Sequence, residues 1–453
     1  MNDDDLGLLG GHRDDHHRDD HHRDDHHRDD HHPGAGGSRY FDDPDRAAPA
    51  RFEATARRPR RAEARRAQER RTRARRKRRT GTLVAVVVLL VLGGGVFLGG
   101  RALLGGLGIG GSTASDYSGG GLADVVVRVA AGDSTSAIAK TLVDDGVVSS
   151  VPAFTRAASG NAGISAIQPG YYKLRTQIPG SDAVSRLLAS DSRVGNLVIP
   201  EGVQLDDVTG ASGTVTDGIL TRMQKASCVD LDGTRTCTSL DDLRSVASTG
   251  NLAALGVPTW ATAEVAAATV PGKRLEGLIR PGSYDLEPGA PAQQQLTKVV
   301  TASAASFESL GLPRSTVGGL TPYQVLVTAS LVQREALPAD FAKVSRVVYN
   351  RLAVNQKLEF DSTVNYPLDV QAIATTAADR GTVTPWNTYA SPGLPATPIS
   401  APSDDALTAA EQPADGTWLY FVTIDTRGTT VFSDTFPEHQ AAIARAQANG
   451  VFG

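Results

Sequence analysis

Apolar positions are most regular between Thr321 and Tyr366. They recur at Val325, Ala329, Val332 and Ala336, and Val327 and Leu331 widen the stripe to most of a helix circumference. Thr321 can cap this helix, Pro322 suits its first turn, and Gln324 completes a Thr-x-x-Gln capping box. Pro338 forces Leu337 out of helical geometry and stops the helix. A second helix follows, with Phe341, Val344, Val348 and Leu352 on one face. The first helix is predicted to be buried, and Glu335, on its last turn, is the charged residue out of place.

Elsewhere the pattern is shorter. Residues 125–148 read as a strand, a turn at Gly132-Asp133 and a helix with Ile138, Leu142 and Val143 inward. Asn196 to Pro200 is a short apolar strand delivering Glu201, read first as the cap of a helix starting near Gln204 and second as another carboxylate. Residues 418–424 and 429–433 predict a hairpin around Thr426-Arg427-Gly428, and Glu438-His439 opens a last helix.

Composition divides the chain before any of this begins. Residues 12–32 repeat His-His-Arg-Asp-Asp with a period of five and hold nine of the ten histidines, so no core can form there. Their spacing fixes no metal geometry, and the tract reads as a solvated, charge-balanced tail. Between Arg57 and Arg79 stand thirteen Arg and one Lys, a run that could bind phosphates were it not for its neighbour. Residues 82–100 are nineteen residues without a charge, close to the ~20 needed to cross a bilayer. Basic residues before one hydrophobic span predict a single-pass signal anchor with the N-terminus cytoplasmic, the arginines holding lipid head groups and no nucleic-acid partner. The organisation expected is therefore a disordered tail (1–80), a transmembrane helix (81–101), a Gly/Ser-rich linker (102–123), a small subdomain (124–195) and a main domain (196–453). Within the main domain, residues 209–272 are rich in Gly, Thr, Ser and Ala and hold Cys228 and Cys237. Outside the membrane such an isolated pair reads as a structural disulfide pinning a hairpin.

A carboxylate on a buried stripe has two physical options. Glu335 either forms an ion pair, with Arg346 or Arg351 as candidates, or is desolvated so that its pKa rises and it stays protonated near neutral pH, as a general acid must. His439 is the sole histidine outside the tail, so a histidine triad or multi-histidine metal site in the folded part must use it.

The segments TASLVQREA, VVYNRL and LEFDSTVNY, followed by TPWNTYASPGLPATPIS and the stretch from Trp418 to the last helix, resemble the YceG-like endolytic murein transglycosylases. Upstream, IPEGVQLDDV and LEGLIRPGSYDL are similar to two further family motifs, so the resemblance spans roughly residues 124–447. Gln333 replaces the first Glu of the family's catalytic-helix run, Arg280 and Gly282 stand where an FP-D pattern is usual, and Ser362 replaces a proline. The resemblance implies an α+β fold: a LysM-like subdomain, with a helix beginning at Phe154 and a strand at residues 170–174, then a mixed α/β catalytic domain with a lysozyme-like helical core. It implies one catalytic acid, Glu335, acting on peptidoglycan glycan strands without a cofactor or metal. It also implies peptidoglycan synthases of elongation or division as partners. Candidate substrate contacts are Asn350, Asp361, Thr363, Tyr366, Trp386, Asn387, Tyr389, Glu438 and His439, with Trp386 and Tyr389 offering ring faces to sugars and Asn387 an amide to an N-acetyl group. A buried turn with an aromatic plug has the same composition.

Two other classes compete: a non-catalytic wall-binding anchor, and an aminodeoxychorismate lyase. The latter needs pyridoxal phosphate on a lysine, which a domain outside the cytoplasm is poorly placed to obtain. The topology is directly testable. Protease added to intact protoplasts should remove the part beyond Arg101 and spare the tail; the reverse pattern would refute an N-in, C-out arrangement.

Overall fold

The computed structural model describes residues 115–372 and 375–451. The His-Arg-Asp tract, the arginine run and the hydrophobic span at 81–101 lie outside the described residues. Among the described residues no helix is long and apolar enough to cross a membrane.

The chain is α+β, with several small sheets set among helices. Its first part runs β1 (Asp124–Val129), α1 (Thr135–Asp144), α2 (Val151–Ser159), β2 (Gly170–Arg175), α3 (Gly180–Leu188) and β3 (Arg193–Val194). Ser134 and Ser150 cap α1 and α2, the latter helix starting three residues before Phe154. β2 is the central strand, antiparallel to both β1 and β3. Val127, Leu142, Phe154, Leu174, Val184 and Leu187 close a core of their own beneath it.

The main part continues with β4 (Asn196–Ile199), β5 (Val208–Gly210), β6 (Val215–Thr216) and α4 (Ile219–Ala226). No helix begins near Gln204. Glu201 instead lies exposed in a turn, so its expected capping role is corrected. The cap of α4 is Gly218, whose N–H is taken by Asp207 Oδ1 at 2.8 Å. Next come the hairpin β7 (Val229–Leu231) and β8 (Thr234–Thr236), α5 (Leu240–Thr249), α6 (Thr262–Ala267), β9 (Gly282–Asp285) and α7 (Ala292–Leu310). Then α8 (Pro322–Glu335), α9 (Phe341–Ala353), α10 (Asp361–Asn365), β10 (Val370–Gln371), α11 (Ala377–Gly381) and α12 (Asp404–Glu411) precede the hairpin β11 (Tyr420–Thr423) and β12 (Thr430–Ser433) and the last helix, α13 (Phe436–Ala448).

α8 is the axis of this part. Both halves of the Thr321/Gln324 capping box are made, and the helix ends at Glu335, where Ala336 is already extended. Tyr323, Val325, Leu326, Val327 and Ala329 belong to one hydrophobic core with Leu205, Met223, Leu278, Leu296 and Phe307. Leu331 and Val332 belong to a second, with Val344, Val348, Phe360, Trp386 and Phe421. One helix therefore ties two cores together.

Cys228 and Cys237 are joined, and the β7–β8 hairpin lies between them. Its tip is anchored: Asp124 N–H donates to the Asp232 carboxylate and Asp232 N–H to Asp124 Oδ2 at 3.0 Å, linking the hairpin to β1. The Asp232 N–H, with Lys173 beside it, holds the Asp124 carboxyl below its usual range. A bridge closing so short a loop stabilises by about 2–3 kcal/mol in the chain-entropy treatment. A Cys228→Ser/Cys237→Ser double variant should lose that much in denaturant unfolding, whereas an unchanged midpoint would show the bridge to be idle.

Candidate active site

The last turn of α8 places Glu335 against the segment that enters α10. Glu335 is buried, and Ser362 donates its hydroxyl to Glu335 Oε1. Burial pushes this carboxyl up to about 7. The negative charge of Asp361 adds to that rise, whereas Ser362 and the charge of Arg334 oppose it. The two arginines proposed as ion-pair partners are engaged elsewhere. Arg346 Nε donates to Ala414 O, and the fully buried Arg351 donates to Leu419 O (2.6 Å), Leu358 O (2.6 Å) and Lys357 O (3.2 Å). Desolvation, the second of the two options, is what the fold imposes.

Asp361 is the neighbouring acid. It accepts from Thr375 Oγ1 at 2.7 Å, Tyr389 OH at 2.8 Å and Arg380 at 3.3 Å, and the Arg380 guanidinium also lies over the Tyr389 ring. Glu335, Ser362, Asp361, Tyr389 and Arg380 are thus connected side by side, drawn from α8, α10, α11 and the loop after α11.

The other candidates are placed as supports. Trp386 is 5% exposed, donates Nε1–H to Thr397 Oγ1 at 2.8 Å and meets Tyr366 edge-on, so its faces are covered. Asn387 donates to the carbonyls of Asp379, Arg380 and Thr382 and accepts from the N–H groups of Tyr389 and Ala390, which fixes the loop carrying Tyr389. Thr363 Oγ1 bonds Phe360 O and the Thr388 hydroxyl. Asn350 donates to Gly416 O and Trp418 O, tying α9 to the approach of β11. Glu438 completes the α13 capping box with Thr435, and His439 is buried, stacked on Tyr420. Burial, then the charge of Arg351, lowers the His439 pKa to about 4, so it is neutral at pH 7. Among the described residues no group of three or more His, Cys, Asp or Glu converges as a metal site.

Gln333, where the resemblance leads one to expect a Glu, accepts from the N–H of Ser403, the cap residue of α12, at 2.8 Å. A neutral acceptor there serves a helix start.

One buried acid escaped the sequence reading. Glu276 is fully buried, its two carboxylate oxygens each 3.0 Å from Leu205 N–H, and Tyr366 OH donates to Oε2 at 2.8 Å. Burial raises its pKa to about 7 against the pull of those donors and of Lys273, which also lies over the Tyr366 ring. Gly277 has φ +74° and approaches Pro398 so closely that a Cβ would sit 2.4 Å from the proline Cβ. The signal was available in LEGLI: a lone Glu between Leu275, Leu278 and Ile279, followed by a glycine.

Fold and site together define an α+β protein with a protonatable acid held at the end of a buried helix. Residues 127–445, well over half of the chain, match the YceG-like family, and the chain belongs to it. It is 26% identical over 321 residues to the endolytic murein transglycosylase of Bacillus subtilis (strain 168), covering 70% of this chain and 83% of that protein. A crystal structure of a putative YceG-like protein from Listeria monocytogenes is 25% identical, covers 70% of this chain and 98% of that one, and superposes with a TM-score of 0.41.

Glu276 makes a stability prediction. Its folded pKa, about 7, lies above its ordinary 4.5, so its contribution is fully present below about pH 4.5 and is lost as pH rises through about 7. Glu276→Gln removes that titration. In thermal melts, the Tm of Glu276→Gln minus that of wild type should therefore increase from pH 4.5 to pH 7.5; a constant difference would refute the assignment.

Proposed function

We propose that this protein is a membrane-anchored peptidoglycan lytic transglycosylase that cleaves the β-1,4 bond between N-acetylmuramic acid and N-acetylglucosamine within glycan strands. The observation that carries this reading is Glu335, buried at the end of α8 with its carboxyl pushed up to about 7. Membership of the YceG-like family and similarity to a protein named endolytic murein transglycosylase support the substrate class.

Glu335, whose carboxyl titrates near neutral pH and so is protonated in a large share of molecules there, gives its proton to the glycosidic oxygen as that bond breaks. The resulting carboxylate then takes the proton of the muramyl C6 hydroxyl, which closes onto C1 as a 1,6-anhydro ring. The acid ends as it began. The nucleophile is the sugar's own hydroxyl, so no second carboxylate is needed, whereas a water-using glycosidase normally employs two. The charge of Asp361, pinned by Arg380, Tyr389 and Thr375, favours the protonated starting form of Glu335 and suits the oxocarbenium-like transition state.

The strand–helix–helix–strand order of β1, α1, α2 and β2 supports a LysM-like module presenting glycan to the main domain. The uncharged span at 82–100 supports a single-pass anchor, with the enzyme facing the wall outside the membrane. There it would end nascent strands during wall growth, beside the synthases that make them.

Full-length protein incubated with purified wall glycan should release 1,6-anhydromuramyl ends, lighter by one water than hydrolysed ends. Glu335→Gln should keep its fold and lose at least ~10²–10⁴-fold in turnover, the usual worth of general acid–base help. Reducing muramyl ends from wild type would make water the nucleophile, and full activity in Glu335→Gln would remove it as the acid.

A further inference from the structure

Ser362 is the second residue of α10, and its hydroxyl is spatially the nearest polar partner that the structure gives Glu335. It stands where the sequence resemblance has proline, a residue with neither hydroxyl nor backbone N–H. Here both groups are present: the hydroxyl donates to Glu335 Oε1, and the Ser362 backbone N–H also faces the carboxylate. Donors aimed at a carboxylate favour its charged form and hold it in one orientation.

We propose that Ser362 is a positioning residue that sets the pH range in which Glu335 works, by donating its hydroxyl to Oε1 and leaving Oε2 to face the glycosidic oxygen. The proposal rests on Glu335 being the acid/base. The remaining charged groups facing Glu335 are Arg334 on its own helix, Asp361 on α10 and Arg351 on α9, with Arg380 and Tyr389 held behind Asp361. Ser362 acts against burial and Asp361: they favour the proton, and it favours proton loss. A carboxyl that must give and then retake a proton in one turnover gains from such opposition, because neither form is strongly preferred.

The sign follows. The first step needs protonated Glu335, so kcat/KM declines as pH rises through its pKa. Removing a donor to the carboxylate raises that pKa and moves the declining limb to higher pH. Ser362→Ala should shift the limb upward by about one pH unit, the usual scale of a hydrogen bond to a charged group. Ser362→Pro, tolerated in a first helical turn, should shift it at least as far. Ser362→Thr, which keeps the hydroxyl, should return it to the wild-type position.

The experiment measures kcat/KM against pH for the full-length wild type and the three variants. In parallel, the protonated-carboxyl infrared band that Glu335→Gln abolishes is titrated in wild type and Ser362→Ala. Parallel upward shifts in rate and band, reversed in Ser362→Thr, support the proposal. A band that titrates unchanged in Ser362→Ala overturns it while leaving the acid role of Glu335 standing. A band that moves while the activity limb stays fixed overturns the acid role itself, and the proposal with it.

Discussion

Burial of α8 is the constraint from which the site follows. The helix is apolar around most of its circumference and belongs to two cores, so it cannot rotate or slide without opening one of them. Its last residue is therefore fixed in place, and that residue is a carboxylic acid. At a helix C-terminus, unpaired carbonyls already present partial negative charge, which is unfavourable for an anion. Burial and the Asp361 carboxylate act in the same direction. Where the helix must end is what lets this acid hold a proton near neutral pH.

Glu276 shows why a raised pKa does not by itself mark a reactive group. Both buried acids lie near 7 for the same first reason, desolvation. Glu276, however, is fully buried and held by a backbone N–H and a tyrosine hydroxyl, so it fastens the bend before β5 to Tyr366 at the end of α10. Glu335 sits at the border of its core, with a serine as its side-chain partner and Asp361, Arg380 and Tyr389 alongside. Access and neighbours distinguish the two, and neither is visible in a pKa.

What could be read in the sequence was whatever depends on neighbours along the chain. The Thr321/Gln324 box, the stop before Pro338 and the hairpin around Gly428 rest on local chemistry, and the structure has all three. The position of Glu335 followed from helical periodicity alone. The loop from Thr384 to Ser400 was different, because an exposed sugar platform and an aromatic plug use the same residues. Only the folded contacts show that the Trp386 ring is covered: it bonds Thr397 across the loop and meets Tyr366, which is itself tied to the distant Glu276. Glu201 was misread because a carboxylate after a short strand looks like a cap, whereas the chain turns there and reaches its next helix at Ile219. Ser362 was noticed only as a departure from a pattern; that its hydroxyl meets Glu335 depends on two helices crossing.

The strand order of the first subdomain has a mechanical consequence. β1 and β3 are both antiparallel to β2, so they run parallel to each other, with β1 entering at the Arg175 end of β2 and β3 leaving at the Tyr171 end. Once the Asp124–Asp232 link had given way, tension between the residues before Asp124 and the main domain after Val194 would pull the two outer strands in opposite directions along their lengths. The ladder would then be loaded in shear, its hydrogen bonds sharing the force, and not peeled open one rung at a time. Any pull applied between those two ends would be carried along the direction in which a sheet resists best.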